Sequence, residues 1–208
     1  ICFGNNQDID GCGVCFGGNF GDSDDDGVCD AEDSSPYGEI NLSFGEPDET
    51  SITLEYNSSV AIAGYQFRVS GVVLTNVYDT IDLISFNPTN GIVFGADLGG
   101  LTLPAGAGTL LTLEFVPING GGEISISEKL FGDSTGNEII ASGPEPSFIP
   151  SCSNFDNDEQ CNLVDEWPEC SDNGSNPYDE CGVCNGNNSD NHGCGCFEPG
   201  PSGCDNTC

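Results

Sequence analysis

The sequence predicts an all-β fold, a jelly-roll or immunoglobulin-like β-sandwich with irregular, cysteine-rich segments at both ends. Three observations predict it: short stretches of alternating apolar and polar residues, turn residues between these stretches, and no sustained 3.6-residue period. The cysteines mark the limits of the sandwich, because none lies between Asp30 and Ser151. A stretch of that length without disulfides needs a hydrophobic core, and it is long enough to build one.

Eight segments are predicted to be strands. Residues 51–56, 65–69, 109–115 and 123–127 alternate clearly, and residues 39–44, 81–86, 92–94 and 138–141 do so more weakly. Turn signals such as Asn90-Gly91 and Gly99-Gly100 separate them. Many short strands, each with one buried face, predict a sandwich of two sheets.

An acidic loop at residues 22–33, here called the first acidic loop, predicts a Ca²⁺ site. Carboxylates at loop positions 1, 3, 5, 9 and 12, with the carbonyl oxygen of position 7, have the spacing with which chains wrap Ca²⁺. Gly27 at position 6 permits the sharp turn that this wrapping needs. An ordinary solvated turn is the alternative, but it would have to match six fixed offsets by chance. The predicted ligands are Asp22, Asp24, Asp26, Val28, Asp30 and Asp33.

Two further stretches match the same spacing less well, and we predict weaker Ca²⁺ sites there. In residues 154–165, here called the second acidic loop, Glu159 replaces the turn glycine; its predicted ligands are Asn154, Asp156, Asp158, Asn162 and Asp165. Near the N-terminus, Asn6, Asp8 and Asp10 match only the first half of a loop. Hydrated polar turns are the alternative for both stretches.

Thirteen cysteines predict disulfides and an oxidising, extracellular setting. They are Cys2, Cys12, Cys15, Cys29, Cys152, Cys161, Cys170, Cys181, Cys184, Cys194, Cys196, Cys204 and Cys208. Two Cys-x-x-Cys pairs could instead supply four zinc thiolates, but the number of cysteines favours disulfides. Because thirteen is odd, one cysteine is expected to bond to another chain, to remain a free thiol or to pair with a cysteine of an adjoining repeat. With no signal peptide and Ile1 at the start, we expect a mature or excised segment of a secreted precursor.

The charge excludes several classes of function. The chain has thirty-five acidic residues and only two basic ones, Arg68 and Lys129, which gives a net charge of −33. Without a basic patch, nucleic-acid binding is not expected, and no apolar run approaches the ~20 residues of a membrane helix. Four Asn-x-Ser triplets are possible glycosylation sites, at Asn41, Asn57, Asn173 and Asn187.

Catalysis is not expected. His192 is the sole histidine and has no nucleophile motif beside it, so a Ser-His-Asp triad is nearly excluded. Paired carboxylates of the glycosidase type are compatible with so acidic a chain, but no aromatic-lined cleft is apparent. The single tryptophan, Trp167, is expected to form a local core for the cysteine-rich tail.

Several motifs resemble known families. Residues 60–71, VAIAGYQFRVSG, and 101–115, LTLPAGAGTLLTLEF, resemble core and turn motifs of cohesin-like domains, and the resemblance spans residues 38–142. It implies a jelly-roll sandwich that binds or scaffolds without catalysis, as cohesins hold dockerins. The first acidic loop, with Cys29 inside it and no helix after it, resembles thrombospondin type 3 repeats, in which Ca²⁺ is structural. Residues 10–19 and 179–188 share a D-x-C-G-V-C-x-G-x-N unit that resembles cysteine-rich modules of large secreted bacterial proteins.

Together these observations predict three segments: a cysteine-rich calcium connector at 1–36, a cohesin-like sandwich at 37–150 and a disulfide-stabilised connector at 151–208. The main prediction is an extracellular structural subunit of a fibril, stalk or adhesin that assembles head to tail with copies of itself. The alternative is a cohesin-type binding module that recognises another secreted protein or a carbohydrate. Measuring whether purified chains form polymers or remain monomers separates the two.

Overall fold

A computed structural model describes residues 21–79, 81, 83–100 and 102–202. These residues form ten strands and no helix, and therefore no helix that is long and apolar enough to cross a membrane. The strands are β1 (Glu39–Phe44), β2 (Ser51–Ser58), β3 (Gly64–Ser70), β4 (Leu74–Asp79), β5 (Leu83–Phe86), β6 (Ile92–Ala96), β7 (Gly106–Phe115), β8 (Gly122–Gly132), β9 (Glu138–Ser142) and β10 (Ser147–Ile149).

The strands run in the order β4-β7-β2-β1-β9-β8-β3-β6-β5, and β10 pairs with the start of β8. We call β4-β7-β2-β1 the first sheet and β8-β3-β6-β5 the second sheet. Strand β9 joins them, because it pairs in parallel with β1 and antiparallel with β8. The non-consecutive neighbours are typical of jelly-roll connections, and the predicted all-β sandwich is confirmed.

A single hydrophobic core fills the space between the sheets. Alternate residues of most strands face inward, so that Leu54 and Leu113 of the first sheet and Phe67 and Phe131 of the second are almost completely buried. Ser58 is the one buried polar side chain among the described residues, and its hydroxyl donates to the carbonyl oxygen of Val60 at 2.8 Å. The alternation read from the sequence is therefore the alternation of core and solvent.

All eight predicted strands are present, but β4, β10 and the second half of β8 were not predicted. In β4 the buried residues Leu74 and Val77 lie three positions apart, because the pairing with β7 shifts between Leu74 and Asn76. In β8 the pairing with β3 shifts as well, and Glu128 adopts a positive φ of 52°. Such bulges insert an extra residue and break the two-residue period on which strand prediction depends. Strand β10 has only three residues.

The chain divides into two compact units, which we describe separately. One comprises Ile1–Val116 with Gly122–Pro150 and contains the sandwich; the other comprises Pro117–Gly121 with Ser151–Cys208. Among the described residues of the second unit, the buried apolar side chains are Cys152, Cys161 and Cys170. Disulfides and short turns, instead of strands, therefore organise this part of the chain. The predicted separation of residues 1–36 from the sandwich stays a prediction.

Candidate functional sites

The first acidic loop brings three of its predicted Ca²⁺ ligands together. One carboxylate oxygen from each of Asp22, Asp24 and Asp26 lies within 4.8 Å of the others. Gly27 has a φ of 91°, and its N–H donates to Asp22 at 3.0 Å, so the chain turns sharply where the spacing predicts. The backbone N–H of Val28 donates to Asp26 at 2.7 Å. These turns place the carboxylates on the inner side of one loop.

The remaining carboxylates of this loop have two different roles. Asp30 accepts hydrogen bonds from the N–H and the hydroxyl of Ser23, at 2.8 and 2.9 Å, and so ties the two arms of the loop together. Asp33 accepts from the N–H of Ser35 with one oxygen, whereas its other oxygen is buried and has no hydrogen-bond partner. A buried carboxylate oxygen without a partner is costly, and coordination of a cation removes that cost.

The electrostatics of the first loop also fit a divalent cation. Partial burial, and then the negative charges of Asp26, Asp33 and Asp22, raises the pKa of Asp24 above its usual value. A bound cation would offset the mutual repulsion among these four carboxylates. The residues present therefore fit Ca²⁺, which takes six to eight oxygen ligands. Ca²⁺ binding itself stays a prediction.

The second acidic loop repeats this arrangement. One carboxylate oxygen from each of Asp156, Asp158 and Asp165 lies within 4.8 Å of the others. Buried oxygens of Asp156 and Asp165 have no hydrogen-bond partner. Asn154 and Asn162 hold the loop: Asn154 donates to the Asp158 carbonyl oxygen at 2.7 Å, and Asn162 accepts from the N–H of Phe155 at 3.0 Å.

The structure joins described cysteines in three disulfides: Cys152–Cys161, Cys170–Cys184 and Cys181–Cys196. Cys29 and Cys194 are also disulfide-bonded. Cys181 and Cys184, one of the two Cys-x-x-Cys pairs, therefore bond to separate partners and are not zinc thiolates. Disulfides fit an extracellular protein. Asn6, Asp8, Asp10, Cys2, Cys12, Cys15, Cys204 and Cys208 lie outside the described residues.

The repeated D-x-C-G-V-C-x-G-x-N unit is a hydrogen-bonded turn in its C-terminal copy. The Asp179 carboxylate accepts from the N–H groups of Cys181, Val183 and Asn188 at 2.9, 3.0 and 2.9 Å. The bond from Val183, followed by those from Asn188 and Cys181, lowers the pKa of Asp179. At Gly186 a Cβ atom would lie 2.2 Å from this carboxylate, which explains the glycine. In this copy the spacing of the unit is thus structural.

The outer face of the second sheet carries a cross-strand row, which the sequence alone did not indicate, in which exposed apolar side chains flank Gln66. Gln66 of β3 lies directly opposite Phe94 of β6 on one side and Leu130 of β8 on the other. Phe94 is 38% exposed and Leu130 is 52% exposed, and Leu83 of β5 lies on the same face, 41% exposed. Strand register decides this row, because it brings together residues that are far apart in the sequence.

A shallow cleft of about 500 Å³ lies at the end of this row. Phe94 and Leu130 form part of its walls. Gly64 and Gly132, which lie directly opposite each other in β3 and β8, also line it. Because these glycines have no side chains, the backbone is open to an incoming group there. The cleft belongs wholly to the unit that contains the sandwich.

Acidic groups border this cleft, whereas both cations of the chain are already engaged. Burial raises the pKa of Asp133, but hydrogen bonds from Asn137 and Thr135 outweigh it and leave the pKa below its usual value. Arg68 forms a two-fold hydrogen bond with Glu128 at 2.9 and 3.0 Å, and Lys129 donates to the carbonyl oxygen of Gly143. Negative charge therefore remains beside the apolar row.

The other predicted positions are on the surface. Asn41, Asn57, Asn173 and Asn187 are exposed, so each is accessible, and their glycosylation stays a prediction. His192 is exposed as well, and Trp167 is partly buried. The expectation that the chain has no catalytic site stays a prediction.

Neither a protein-family model nor a curated protein matches the chain. Several solved cohesin structures are similar to it. A chain of a type I cohesin–dockerin complex from Clostridium thermocellum is 14% identical with a TM-score of 0.46, and the match covers 56% of this chain and 95% of that one. A non-cellulosomal cohesin from Archaeoglobus fulgidus is 13% identical with a TM-score of 0.44, over 55% and 92% of the two chains.

A cohesin module of a family 33 glycoside hydrolase from Clostridium perfringens is 11% identical with a TM-score of 0.41, over 55% of this chain and 97% of that chain. Cohesin is also the family that residues 60–71 and 101–115 resemble. At these identities the similarity concerns the fold alone. The resemblance of the first acidic loop to thrombospondin type 3 repeats stays a prediction.

Proposed function

We propose that this chain is an extracellular, non-catalytic module that binds a protein partner through the outer face of the second sheet. In this proposal, Ca²⁺ and disulfides stiffen the segments that flank the sandwich. The observation that carries it is the cross-strand row of Phe94, Gln66 and Leu130 on an otherwise solvent-facing sheet. Aligned apolar residues with a polar surround are typical of protein contact surfaces.

The outer face of the first sheet lacks such a row. Tyr78, opposite Thr112, is exposed, but the other cross-strand neighbours are polar: Thr53 lies opposite Thr112, and Glu55 lies opposite Thr109, whose hydroxyl donates to it at 2.9 Å. Asn41 of β1 lies opposite Asn57 of β2. A solvated sheet face of this kind needs no partner, since each polar group can bond to water or to its neighbour. The asymmetry between the two faces therefore favours a contact on the second sheet.

The charges favour a partner with basic residues at the rim of its contact surface. Arg68 and Lys129 are bonded within the chain, so neither is available to pair with an acidic partner. Asp133 beside the cleft keeps its charge at neutral pH, because its pKa is lowered. A lysine or arginine at the partner's rim would add complementarity to an apolar centre, whereas an acidic partner would be repelled.

The test is a comparison of two doubly substituted chains. The proposed contact is changed by Phe94→Asp with Leu130→Asp, and the control is Tyr78→Asp with Ile140→Asp, which alters apolar residues of similar exposure (54% and 50%) in β4 and β9. Oxidised chains in millimolar Ca²⁺ are presented to a dockerin module and to the secreted proteins of the source organism. Each retained protein is purified and titrated calorimetrically.

We expect a defined partner whose affinity falls about 30-fold or more with the first pair, since a central contact residue contributes about 2 kcal/mol. The control pair should bind like the unaltered chain. Equal binding by both doubly substituted chains would mean that the contact lies elsewhere and would contradict the proposal.

A second candidate function is that of a repeat unit in a fibril or stalk. It is supported by the similarity of the two acidic loops, which precede and follow the sandwich in the sequence and share their hydrogen-bonding pattern. Electron microscopy and sedimentation of purified chains in Ca²⁺ test it. Ordered polymers that dissolve in chelator plus reductant would support this function, and a monomer at every concentration would contradict it.

A further inference from the structure

The second acidic loop shares several backbone hydrogen bonds with the first, at equivalent positions. The N–H of Gln160 donates to Asp158 at 2.6 Å, as the N–H of Val28 donates to Asp26 at 2.7 Å. Trp167 donates to Asp165 at 2.8 Å, as Ser35 donates to Asp33 at 2.8 Å. Two backbone bonds are equivalent as well. The N–H of Asp165 donates to the carbonyl oxygen of Cys161, as the N–H of Asp33 donates to that of Cys29. The N–H of Asn162 donates to the carbonyl oxygen of Ser153, as the N–H of Asp30 donates to that of Gly21.

The second acidic loop forms although Glu159 is at the position of the turn glycine. Gly27 in the first loop has a positive φ, whereas Glu159 is not among the described residues with positive φ. Asn157 takes a φ of 59°, the value found for Asp25 at the same position of the first loop. Asparagine tolerates this region better than most residues. The sequence feature that made this loop a weaker prediction is therefore not an obstacle to its folding.

The two loops differ in charge. The first loop has five carboxylates at its predicted ligand positions, and one of them, Asp30, accepts two hydrogen bonds from Ser23. In the second loop, asparagines replace the carboxylates at positions 1 and 9, which leaves three. Asn154 adds no charge, and both ends of its amide are engaged, with the N–H of Asn157 at 2.8 Å and the carbonyl oxygen of Asp158 at 2.7 Å.

Asp172 is outside the loop motif in sequence but lies beside the second acidic loop in the structure. Its backbone N–H donates to a carboxylate oxygen of Asp158 at 3.4 Å, and the two residues line the same cleft, although the Asp172 carboxylate lies outside the 4.8 Å cluster of Asp156, Asp158 and Asp165. One oxygen of Asp172 accepts from the N–H of Gly174, and the other is buried without a hydrogen-bond partner. Among the described residues, buried side-chain oxygens or nitrogens without a partner are found only in Asp33, Asp156, Asp165 and Asp172. The other three are predicted Ca²⁺ ligands.

The position of Asp172 is held by a disulfide. Cys170, two residues before it, is completely buried and is bonded to Cys184. The aspartate therefore lies on a segment whose backbone is fixed independently of any ion. A ligand held in place before binding loses little conformational freedom when the ion arrives.

We propose that Asp172 supplies the fourth carboxylate of a Ca²⁺ site in the second acidic loop, together with Asp156, Asp158 and Asp165. This inference rests on the proposed role of Ca²⁺ in stiffening the flanks. It accounts for three of the four unpartnered buried oxygens, and it raises the number of carboxylates at the second site from three to four. Calcium affinity depends on this number of charged ligands. The ion would thus link the loop to the segment that follows Cys170.

Terbium luminescence can measure this site separately, because Trp167 lies two residues from Asp165 and is the sole tryptophan. Tb³⁺ bound in the second loop is excited through Trp167, and Ca²⁺ displaces it. We expect Asp172→Asn in the full-length oxidised chain to lower the Ca²⁺ affinity about tenfold or more. Glu169→Gln, an exposed acidic neighbour on the same segment, is the charge-matched control and should leave the affinity within about twofold.

Peptide mapping of the Cys170–Cys184 disulfide in each variant checks that the segment has folded. An unaltered affinity in Asp172→Asn with this disulfide intact would overturn the assignment of Asp172, while leaving calcium binding by the loop in place. No tryptophan-sensitised emission from the unaltered chain, and no heat on calorimetric Ca²⁺ titration, would instead contradict the proposed role of calcium. Partner binding by the second sheet is measured separately and is affected by neither result.

Discussion

The sandwich and the C-terminal unit of this protein are built on opposite principles. The sandwich buries Leu54, Phe67, Leu113 and their neighbours in one core, and no cysteine lies between Asp30 and Ser151. In the C-terminal unit the described buried side chains are disulfide cysteines, whereas Phe155 is 73% exposed. The first region is stable because apolar surface leaves water, and the second because covalent bonds and carboxylate-capped turns restrict the chain. Conditions that break one should therefore spare the other.

The largest expected effect is the loss of a core side chain from the sandwich. Phe67 is completely buried, so Phe67→Ala should lower the free energy of unfolding by about 3–5 kcal/mol. Phe155→Ala, the same chemical change in the C-terminal unit, should alter it by less than about 0.5 kcal/mol, because Phe155 is exposed. Denaturant unfolding of both variants measures this. Similar losses in the two would contradict the contrast between the regions.

Removal of a disulfide should have the opposite selectivity. Cys170→Ser with Cys184→Ser opens a bond that spans 14 residues, and the unit that contains it should lose about 3 kcal/mol. Limited proteolysis should then cleave within residues 151–202 first, while the unfolding transition of the sandwich keeps its midpoint. A coincident loss of the sandwich would show that its stability depends on the disulfide unit.

Calcium should stiffen the first acidic loop without contributing to the core. Asp24→Ala with Asp26→Ala removes two of its clustered carboxylates, and calorimetric titration should lose the heat of that site. The free energy of unfolding of the sandwich should change by less than about 0.5 kcal/mol. Asp25→Asn, at an exposed position between them with a positive φ that asparagine tolerates, is the control. An unaltered calcium titration in the double variant would contradict the assignment of this loop.

The smallest expected effect is a local dependence on pH at Asp179. Because hydrogen bonds from Val183, Asn188 and Cys181 lower its pKa in the folded chain, its contribution to stability is fully present above its unfolded pKa. The pKa of an aspartate in the unfolded chain is about 3.9, and the contribution is lost as the pH falls further, through the lower pKa of Asp179 in the folded chain. The protection factor of the Val183 amide in hydrogen exchange should therefore fall below about pH 4. In Asp179→Asn this pH dependence should disappear, whereas Glu180→Gln should retain it.

The parts of the fold that depend on local patterns could be predicted from the sequence. The buried alternation of Ile52, Leu54 and Tyr56 in β2 is plain in the sequence, and so is the turn at Gly27. Strand β4 was not predicted, because a bulge after Leu74 places its buried residues out of the two-residue period. The first loop's clustered carboxylates follow from spacing within twelve residues, whereas Asp172 lies outside any such spacing.

The order of residues along the chain was enough to identify a disulfide-free β-sandwich, two acidic loops and cysteine-rich flanks, because each depends on neighbours within about a dozen positions. Only the folded chain decided that Phe94, Gln66 and Leu130 form one row, and that Cys181 and Cys184 bond to different partners. It also decided that Asp172 lies against Asp158. Strand register, disulfide pairing and long-range contacts depend on how distant segments pack together, and local composition contains no record of that choice.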